Sequence, residues 1–374
     1  MTTAELRFPS PTPPRATVRR EPFVAAPGRT MVDAYVLRNV RGVEARVLAF
    51  GGTLVSLRVP DRDGRLADVV LGHDTVEAYA QDDRYFGALI GRYANRIAGA
   101  RFTLDGETHE LTRNEGDHQL HGGPGGFHHL WWGVEPFVRP DGVGVTLRHT
   151  SPHGAEGFPG TLRVRVTYTL SDDDALAVDY HAMTDRATPV SLTHHSYFNL
   201  AGHDAGDALG HELTLAASRF LPVNDALVPT GELCAVQGTP FDFTSPRAIG
   251  ARLGDEDEQL RIGGGYDHCF VLDDGRPLAG GAPPFAARLF DPTSGRVLEL
   301  FTTEPALQLY AGGGLHARSP GKGGTEYRRY AGIALEPQRF PDAPNQPAFP
   351  SAILRPGEAY TSRTVYRFSA EQGA

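Results

Sequence analysis

Two residues far apart in the chain carry an acid and a base. His195 stands in Thr193-His194-His195-Ser196-Tyr197-Phe198-Asn199-Leu200, and Glu336 stands in Leu335-Glu336-Pro337. A histidine and a carboxylate without a cofactor signature point to proton transfer on a neutral polar substrate. The other common chemistries lack their residues. No G-x-S-x-G elbow occurs, no G-x-G-x-x-G joins a strand to a helix, and Gly321-Lys322 lacks the rest of a phosphate loop. Lys322 is the only lysine, which argues against Schiff-base enzymes. His118 and His121 stand three apart, as zinc ligands do, but only two ligands are local and Gly-Gly-Pro-Gly-Gly follows. Asp61-Arg62-Asp63-Gly64 lacks the glutamate of a calcium loop and reads as a hairpin turn. We expect no metal and no cofactor.

The elements that must position these residues are strands. Leu162, Val164, Val166, Tyr168 and Leu170 alternate with Arg163, Arg165, Thr167 and Thr169. Leu176, Val178 and Tyr180 repeat the pattern, as do Val55, Leu57 and Val59, and so does the stretch from Tyr360 to Phe368. Asp63-Gly64, Asp105-Gly106, Asp141-Gly142, Asp274-Gly275 and Ser294-Gly295 supply turns between runs. The 44 Gly and 29 Pro in 374 residues suit many turns and few long helices, and the helices expected are short ones such as Thr75–Gln81. The fold class expected is all-β, a large antiparallel β-sandwich with few short helices. Residues 1–22, with Pro9, Pro11, Pro13 and Pro14, read as a loose tail, and 23–374 as one domain. No fixed-period repeat is visible, which weighs against a propeller.

Strand parity separates the two histidines. Val190 and Leu192 share a face with His194, while His195 and Tyr197 point the other way. Gln308 and Tyr310 likewise oppose Leu307 and Leu309, and Glu336 opposes Ile333 and Leu335. His195, Gln308 and Glu336 therefore fall on polar faces. Parity by itself favours a solvated outer face over a binding surface. Gly91-Arg92-Tyr93-Ala94-Asn95-Arg96-Ile97 offers hydrogen-bond donors for hydroxyl oxygens or, equally, ordinary salt bridges. Asp267, in Tyr266-Asp267-His268, is an acceptor for a hydroxyl or a strand-end turn residue. The stiff loop Pro341-Asp342-Ala343-Pro344-Asn345-Gln346-Pro347 follows Glu336 and reads as a site rim or as packaging.

The net charge of −9 and a pI near 5.9 speak against nucleic acid and anionic membranes as partners. Cys234 and Cys269 have no metal or redox spacing and read as free thiols. No targeting or spanning segment is visible, so a cytoplasmic location is expected.

The stretches Gly91–Ile97, Leu120–Gly123, His195–Leu200, Tyr266–His268, Leu307–Tyr310 and Leu335–Asn345, in this order, resemble the aldose 1-epimerase (galactose mutarotase) family, as does the ending Phe349–Tyr360. The resemblance implies a galactose mutarotase-like supersandwich that interconverts α and β anomers of free aldoses such as galactose or glucose. It implies a monomer or weak homodimer without cofactor. It assigns His195 as general acid and Glu336 as general base, with Asn95, Arg96, His121, Tyr197, Asp267 and Gln308 contacting the sugar. On this mechanism Glu336 is ionised and His195 protonated in the productive state, and Arg96 steadies the developing oxygen charge. The chain departs from the family in its second histidine, His194, and in Ala311-Gly312-Gly313-Gly314 after Tyr310. Three alternatives remain open on the residues alone: a glycoside hydrolase or lyase using Asp267 with Glu336, a hexose-6-phosphate 1-epimerase drawing on Arg328, Arg329 and Arg339, and a non-catalytic carbohydrate-binding protein.

Overall fold

In the computed structural model, residues 15–25, 31–273, 282–316 and 320–372 are described. Three antiparallel sheets dominate, with two short α-helices, Val76–Gln81 and Glu258–Gly263, among the described residues. The largest sheet has nine strands in the spatial order Gly133–Arg139, Gly142–Ser151, Leu162–Leu170, Ala175–Thr184, Tyr360–Ala370, Arg296–Thr302, Phe285–Phe290, Glu212–Leu215 and Arg247–Ala248. A six-stranded sheet runs Tyr197–Phe198, Ile333–Gln338, Ala306–Tyr310, Asp267–Val271, Arg219–Leu221 and Cys234–Ala235. A five-stranded sheet runs from Thr17–Val24 through Met31–Arg38, Glu44–Leu48 and Leu54–Pro60 to Leu66–Asp68.

The alternating sequences fold as their period dictates. Leu162, Val164, Val166, Tyr168 and Leu170 are all buried, and Arg163 and Arg165 are exposed. They share one core with Leu57, Val59, Val178, Tyr180, Tyr366 and Phe368, and with Leu307, Leu309, Ile333 and Leu335 of the six-stranded sheet. Each such side chain contributes roughly 1.5–3 kcal/mol of burial. The large core therefore sits against one face of the six-stranded sheet. That leaves Gln308 and Glu336, on the other face, for a site.

The short helix begins where its sequence says: the Thr75 hydroxyl accepts from the Ala78 amide at 3.1 Å. The Asp61 carboxylate accepts from the Asp63 and Arg65 amides at 2.9 and 2.8 Å, closing a hairpin turn rather than a calcium loop. Asp274-Gly275 lies outside the described residues.

The expected tail is corrected in part. Thr17–Val24 pairs residue by residue with Met31–Arg38, so residues 17–22 belong to the sheet, and residues 1–14 lie outside the described residues. The strand is an edge, where Pro22 forfeits no interior ladder bond and the alternation of apolar residues is weak. The second helix, Glu258–Gly263, has no clear sequence period and is set by its cap, where the Asp257 carboxylate accepts from the Gln259 and Leu260 amides. Lys322, 9% exposed, is a structural pin: its ammonium donates to the carbonyls of Val55 and Val70 and to Asp68, at 2.6–2.9 Å.

Candidate active site

The eight residues proposed from sequence come together. Asn95, Arg96, His121, His195, Tyr197, Asp267, Gln308 and Glu336 all line one cleft of about 230 Å³. Pockets that take drug-sized ligands run to roughly 300–1,000 Å³, so this one suits a single small molecule.

The six-stranded sheet forms its floor. Gln308 pairs with Glu336 on one side and Cys269 on the other, which puts their side chains on the same face. Asp267 pairs with Tyr310 two residues along, and the Gln308 amide donates to its carboxylate at 2.6 Å. His195 is held by its backbone. Thr193–His194 pairs with Leu89–Ile90, Tyr197–Phe198 joins the six-stranded sheet, and the amide and carbonyl of His195 bond Ala88 and Gly87 at 2.9 Å. Parity then sends His194 into the core against Tyr168 and Tyr366, and His195 to the cleft, stacked on Tyr197 with 4.9 Å between rings.

Parity was misleading on one point. His195, Gln308 and Glu336 are 2–4% exposed rather than solvated, because loops roof this face. Those loops supply the cleft residues with no sequence signal: Asp83, Arg84 and Tyr85, Glu115, and Gly314, Leu315 and His316. Tyr85 packs edge-on to His121 at 4.7 Å and stacks near His195 at 5.9 Å. Its backbone lies at φ 59°, unusual for an aromatic residue, and nothing local in the sequence announces it.

Arg96 is clamped by a two-pronged bond to Glu115 at 2.6 and 2.7 Å. Burial works against its charge, but Asp267 and Glu115 prevail and hold the guanidinium above its ordinary pKa. The proline-rich loop braces this arginine from behind. The Asp342 amide donates to the Arg96 carbonyl, and the Asp342 carboxylate accepts from the Ala98 amide, both at 2.9 Å. Arg92, from the same motif, turns away and donates to Ser151, Pro152, Pro159 and Gly160. It is a structural residue.

His195 Nε2 lies 3.5 Å from Glu336 Oε1. Burial lowers the His195 pKa to about 4 and raises that of Glu336 well above its usual range. The cleft by itself thus favours a neutral imidazole facing a protonated carboxyl, the reverse of the ion pair expected from the mechanism. Both forms hold one proton, so they are tautomers of one pair. Polar groups of a ligand favour the charged form, because desolvation is what penalises it. His195 Nδ1, Glu336 Oε2 and Gln308 Oε1 are buried without a hydrogen-bond partner among the described residues. Such orphan groups are what a hydroxyl-rich ligand satisfies.

Ligand atoms of His121, His195 and Glu336 all lie within 4.8 Å of one another, close enough to hold a divalent metal. The donor chemistry does not fit. His121 Nδ1 accepts a hydrogen from the Asn95 amide at 3.1 Å, so the neutral ring carries its own hydrogen on Nε2. Neither nitrogen is free to ligate without breaking that arrangement. His118 is engaged elsewhere, its Nδ1 accepting from the Gly99 amide at 3.0 Å.

The family model for aldose 1-epimerase matches residues 33–367. A galactose mutarotase from Bos taurus is 45% identical over 342 residues, covering 91% of this chain and 95% of the relative. The Homo sapiens galactose mutarotase is 43% identical, covering 95% and 99%, and the aldose 1-epimerase of Escherichia coli K12 is 40% identical, covering 90% and 94%. Among solved structures, an aldose epimerase homologue from C. elegans superposes with a TM-score of 0.81 at 31% identity, covering 95% of this chain and all of the other. Galactose 1-epimerase from Lactobacillus acidophilus gives 0.82 at 27% identity, covering 96% of this chain and all of the other. The sandwich, the cleft and these matches agree, and the chain belongs to the aldose 1-epimerase family.

Proposed function

We propose that this protein is a mutarotase: it interconverts the α and β anomers of free aldohexoses such as galactose and glucose by acid–base ring opening and closure. The observation that carries the reading is the buried His195–Glu336 pair, 3.5 Å apart, in a cleft sized for one small molecule. Glu336 takes the proton of the anomeric hydroxyl while His195 delivers one to the ring oxygen. The C1–C2 bond rotates, and the aldehyde is attacked again from its other face. Closure runs the two transfers backwards, so the pair resets itself and no proton is consumed. Arg96, kept charged by Asp267 and Glu115, and the hydrogen on His121 Nε2 are placed to support oxygen charge. Asn95, Tyr197, Asp267 and Gln308 hold the remaining hydroxyls.

A phosphorylated hexose fits less well. Arg96 is committed to Glu115, and Arg84 bonds Asp82 at 2.6 Å. Arg328 pairs with Glu326, Arg339 with Glu304, and Arg329 bonds Gly264 and Tyr330; none of the three lines the cleft. A disaccharide-cleaving role is disfavoured by the size of the cleft. A cytoplasmic location and a monomeric or weakly dimeric state complete the proposal. No helix among the described residues is long and apolar enough to cross a membrane.

Polarimetry on fresh α-galactose and α-glucose tests the reading. Wild type should hasten the decay of rotation to an unchanged end value, and His195→Asn and Glu336→Gln should each abolish the acceleration. Full activity in Glu336→Gln, or a changed end value, refutes it.

A further inference from the structure

Beside the cleft, but not lining it, lies a buried carboxylate that the acid–base chemistry does not use. Asp82 is 9% exposed. One of its oxygens accepts from the Arg84 backbone amide at 3.0 Å and from Arg84 Nε at 2.6 Å. The other meets His73 Nε2 at 2.6 Å. Burial works against this charge, but His73 and Arg84 outweigh it and hold the carboxyl below its ordinary pKa. Each partner then reaches a backbone carbonyl, Arg84 one on the cleft rim and His73 one that does not line the cleft. Arg84 Nη1 donates to the His316 carbonyl at 3.2 Å, and His73 Nδ1 donates to that of Pro320 at 3.1 Å. Asp82 is thus the hub of a clamp with two arms.

The rim has little slack elsewhere. A Cβ on Gly313 would come within 2.3 Å of the Gly264 carbonyl, so the chain there is pressed against its neighbour. The Gly314 amide donates to the Tyr310 hydroxyl at 2.7 Å, and Leu315 is 1% exposed in a cluster with Phe86, Tyr197 and Tyr327. The Arg84 guanidinium itself lies over the Phe86 ring at 4.8 Å. Gly314, Leu315 and His316 line the cleft, so its width on this side is set by backbone bonds, and Arg84 makes one of them. The run Gly312-Gly313-Gly314 has no side chains of its own to do this.

We propose that Asp82 is a positioning residue for sugar binding: through Arg84 it holds the rim Gly314–His316 at contact distance from the bound sugar. The proposal rests on the mutarotase reading of this cleft. Asp82→Asn removes the charge from both arms: its oxygen can still accept from Arg84, but its amide must face His73 Nε2, and both bonds lose their charge assistance. Arg84→Lys keeps the charge but replaces the rigid fork, whose separate nitrogens reach Asp82 and the His316 carbonyl, by a single nitrogen on a flexible stem.

The test is galactose binding by titration calorimetry together with mutarotation kinetics on the whole protein. Asp82→Asn should raise Kd and KM about tenfold, or about 1.4 kcal/mol, with kcat within about twofold. Arg84→Lys should move Kd and KM in the same direction, and it stands in if Asp82→Asn does not fold. Unchanged Kd and KM with only a lower melting point would make Asp82 a stability residue and overturn the proposal. So would a kcat lowered about tenfold or more at unchanged Kd, because Asp82, whose charge raises the pKa of His195, would then be acting on the chemistry. Wild type that binds galactose without hastening mutarotation refutes the mutarotase reading, while Kd still tests the clamp. Wild type that does not bind galactose overturns both.

Discussion

Acid should unfold this protein through its histidines before its carboxylates are lost. Burial lowers the pKa to about 3 in His128, His194 and His268 and to about 4 in His195 and His211, and it lowers His121 well below 6.5. Geometry agrees. The Nδ1 atoms of His121 and His268 and the Nε2 of His211 each accept a backbone amide hydrogen, so a proton added there would face a donor. The sign follows. A histidine whose native pKa is depressed leaves stability untouched above about pH 6.5 and subtracts from it as pH falls, because only the unfolded chain takes the proton. At pH 5.5 each contributes a loss of about 1.4 kcal/mol. The five with assigned values sum to about 7 kcal/mol, against a total stability of roughly 5–15 kcal/mol for an ordinary domain. Glu336, Asp267 and Asp342, raised by burial, titrate in the opposite sense and offset part of this. The expected net loss between pH 7.5 and 5.5 is about 3–7 kcal/mol. Urea unfolding followed by circular dichroism at half-unit pH steps measures it. His268→Gln should reduce the pH dependence by about 1.4 kcal/mol over the same span. A loss under about 1 kcal/mol in wild type would mean that these rings are protonated or solvated, and the reasoning fails.

Two further outcomes follow from the site. Arg96→Lys keeps a cation beside Asp267 but loses one of the two bonds to Glu115; kcat/KM on galactose should fall about 10- to 100-fold, from roughly 1.5–3 kcal/mol per charged hydrogen bond, and an unchanged value would place Arg96 outside the chemistry. Gly122 and Gly106 both sit at φ 84°, but a Cβ on Gly122 would lie 2.0 Å from the Gly91 carbonyl while one on Gly106 meets nothing within 4 Å. By denaturant titration, Gly106→Ala should cost about 1 kcal/mol of backbone strain and Gly122→Ala at least about 2, with loss of activity as His121 is pushed aside.

What the sequence made legible was local or periodic. Alternation revealed the strands around Leu162 and Tyr360, and parity told His194 from His195. The position of each polar residue on its strand also foretold which face Gln308 and Glu336 occupy. The roof over that face was hidden, because it is built by segments near 84, 115 and 314 that meet only after folding. Glu115 shows this: its value lies entirely in reaching Arg96, and nothing near it in sequence says so. Tyr85 was missed for a different reason, since a left-handed aromatic residue is imposed by its surroundings and contradicts its local preference. The edge strand Thr17–Val24 was lost to the prolines before it and to its half-exposed, poorly alternating faces. The protonation of the His195–Glu336 pair was inferred from the needs of the reaction. Burial alone points the other way, so the charged form must come from the ligand's own polarity.

The pin made by Lys322 has a practical consequence. It is the chain's only lysine, and its nitrogen is enclosed by Val55, Asp68 and Val70. Reagents that acylate side-chain amines therefore find no exposed target among the lysines of the folded protein. A single lysine introduced on the surface, away from the cleft, becomes the one exposed side-chain amine, a handle for a dye, a tether or an electrode. Conversely, acylation appearing at Lys322 itself reports that the five-stranded sheet has opened, which turns an inert residue into a built-in footprinting probe.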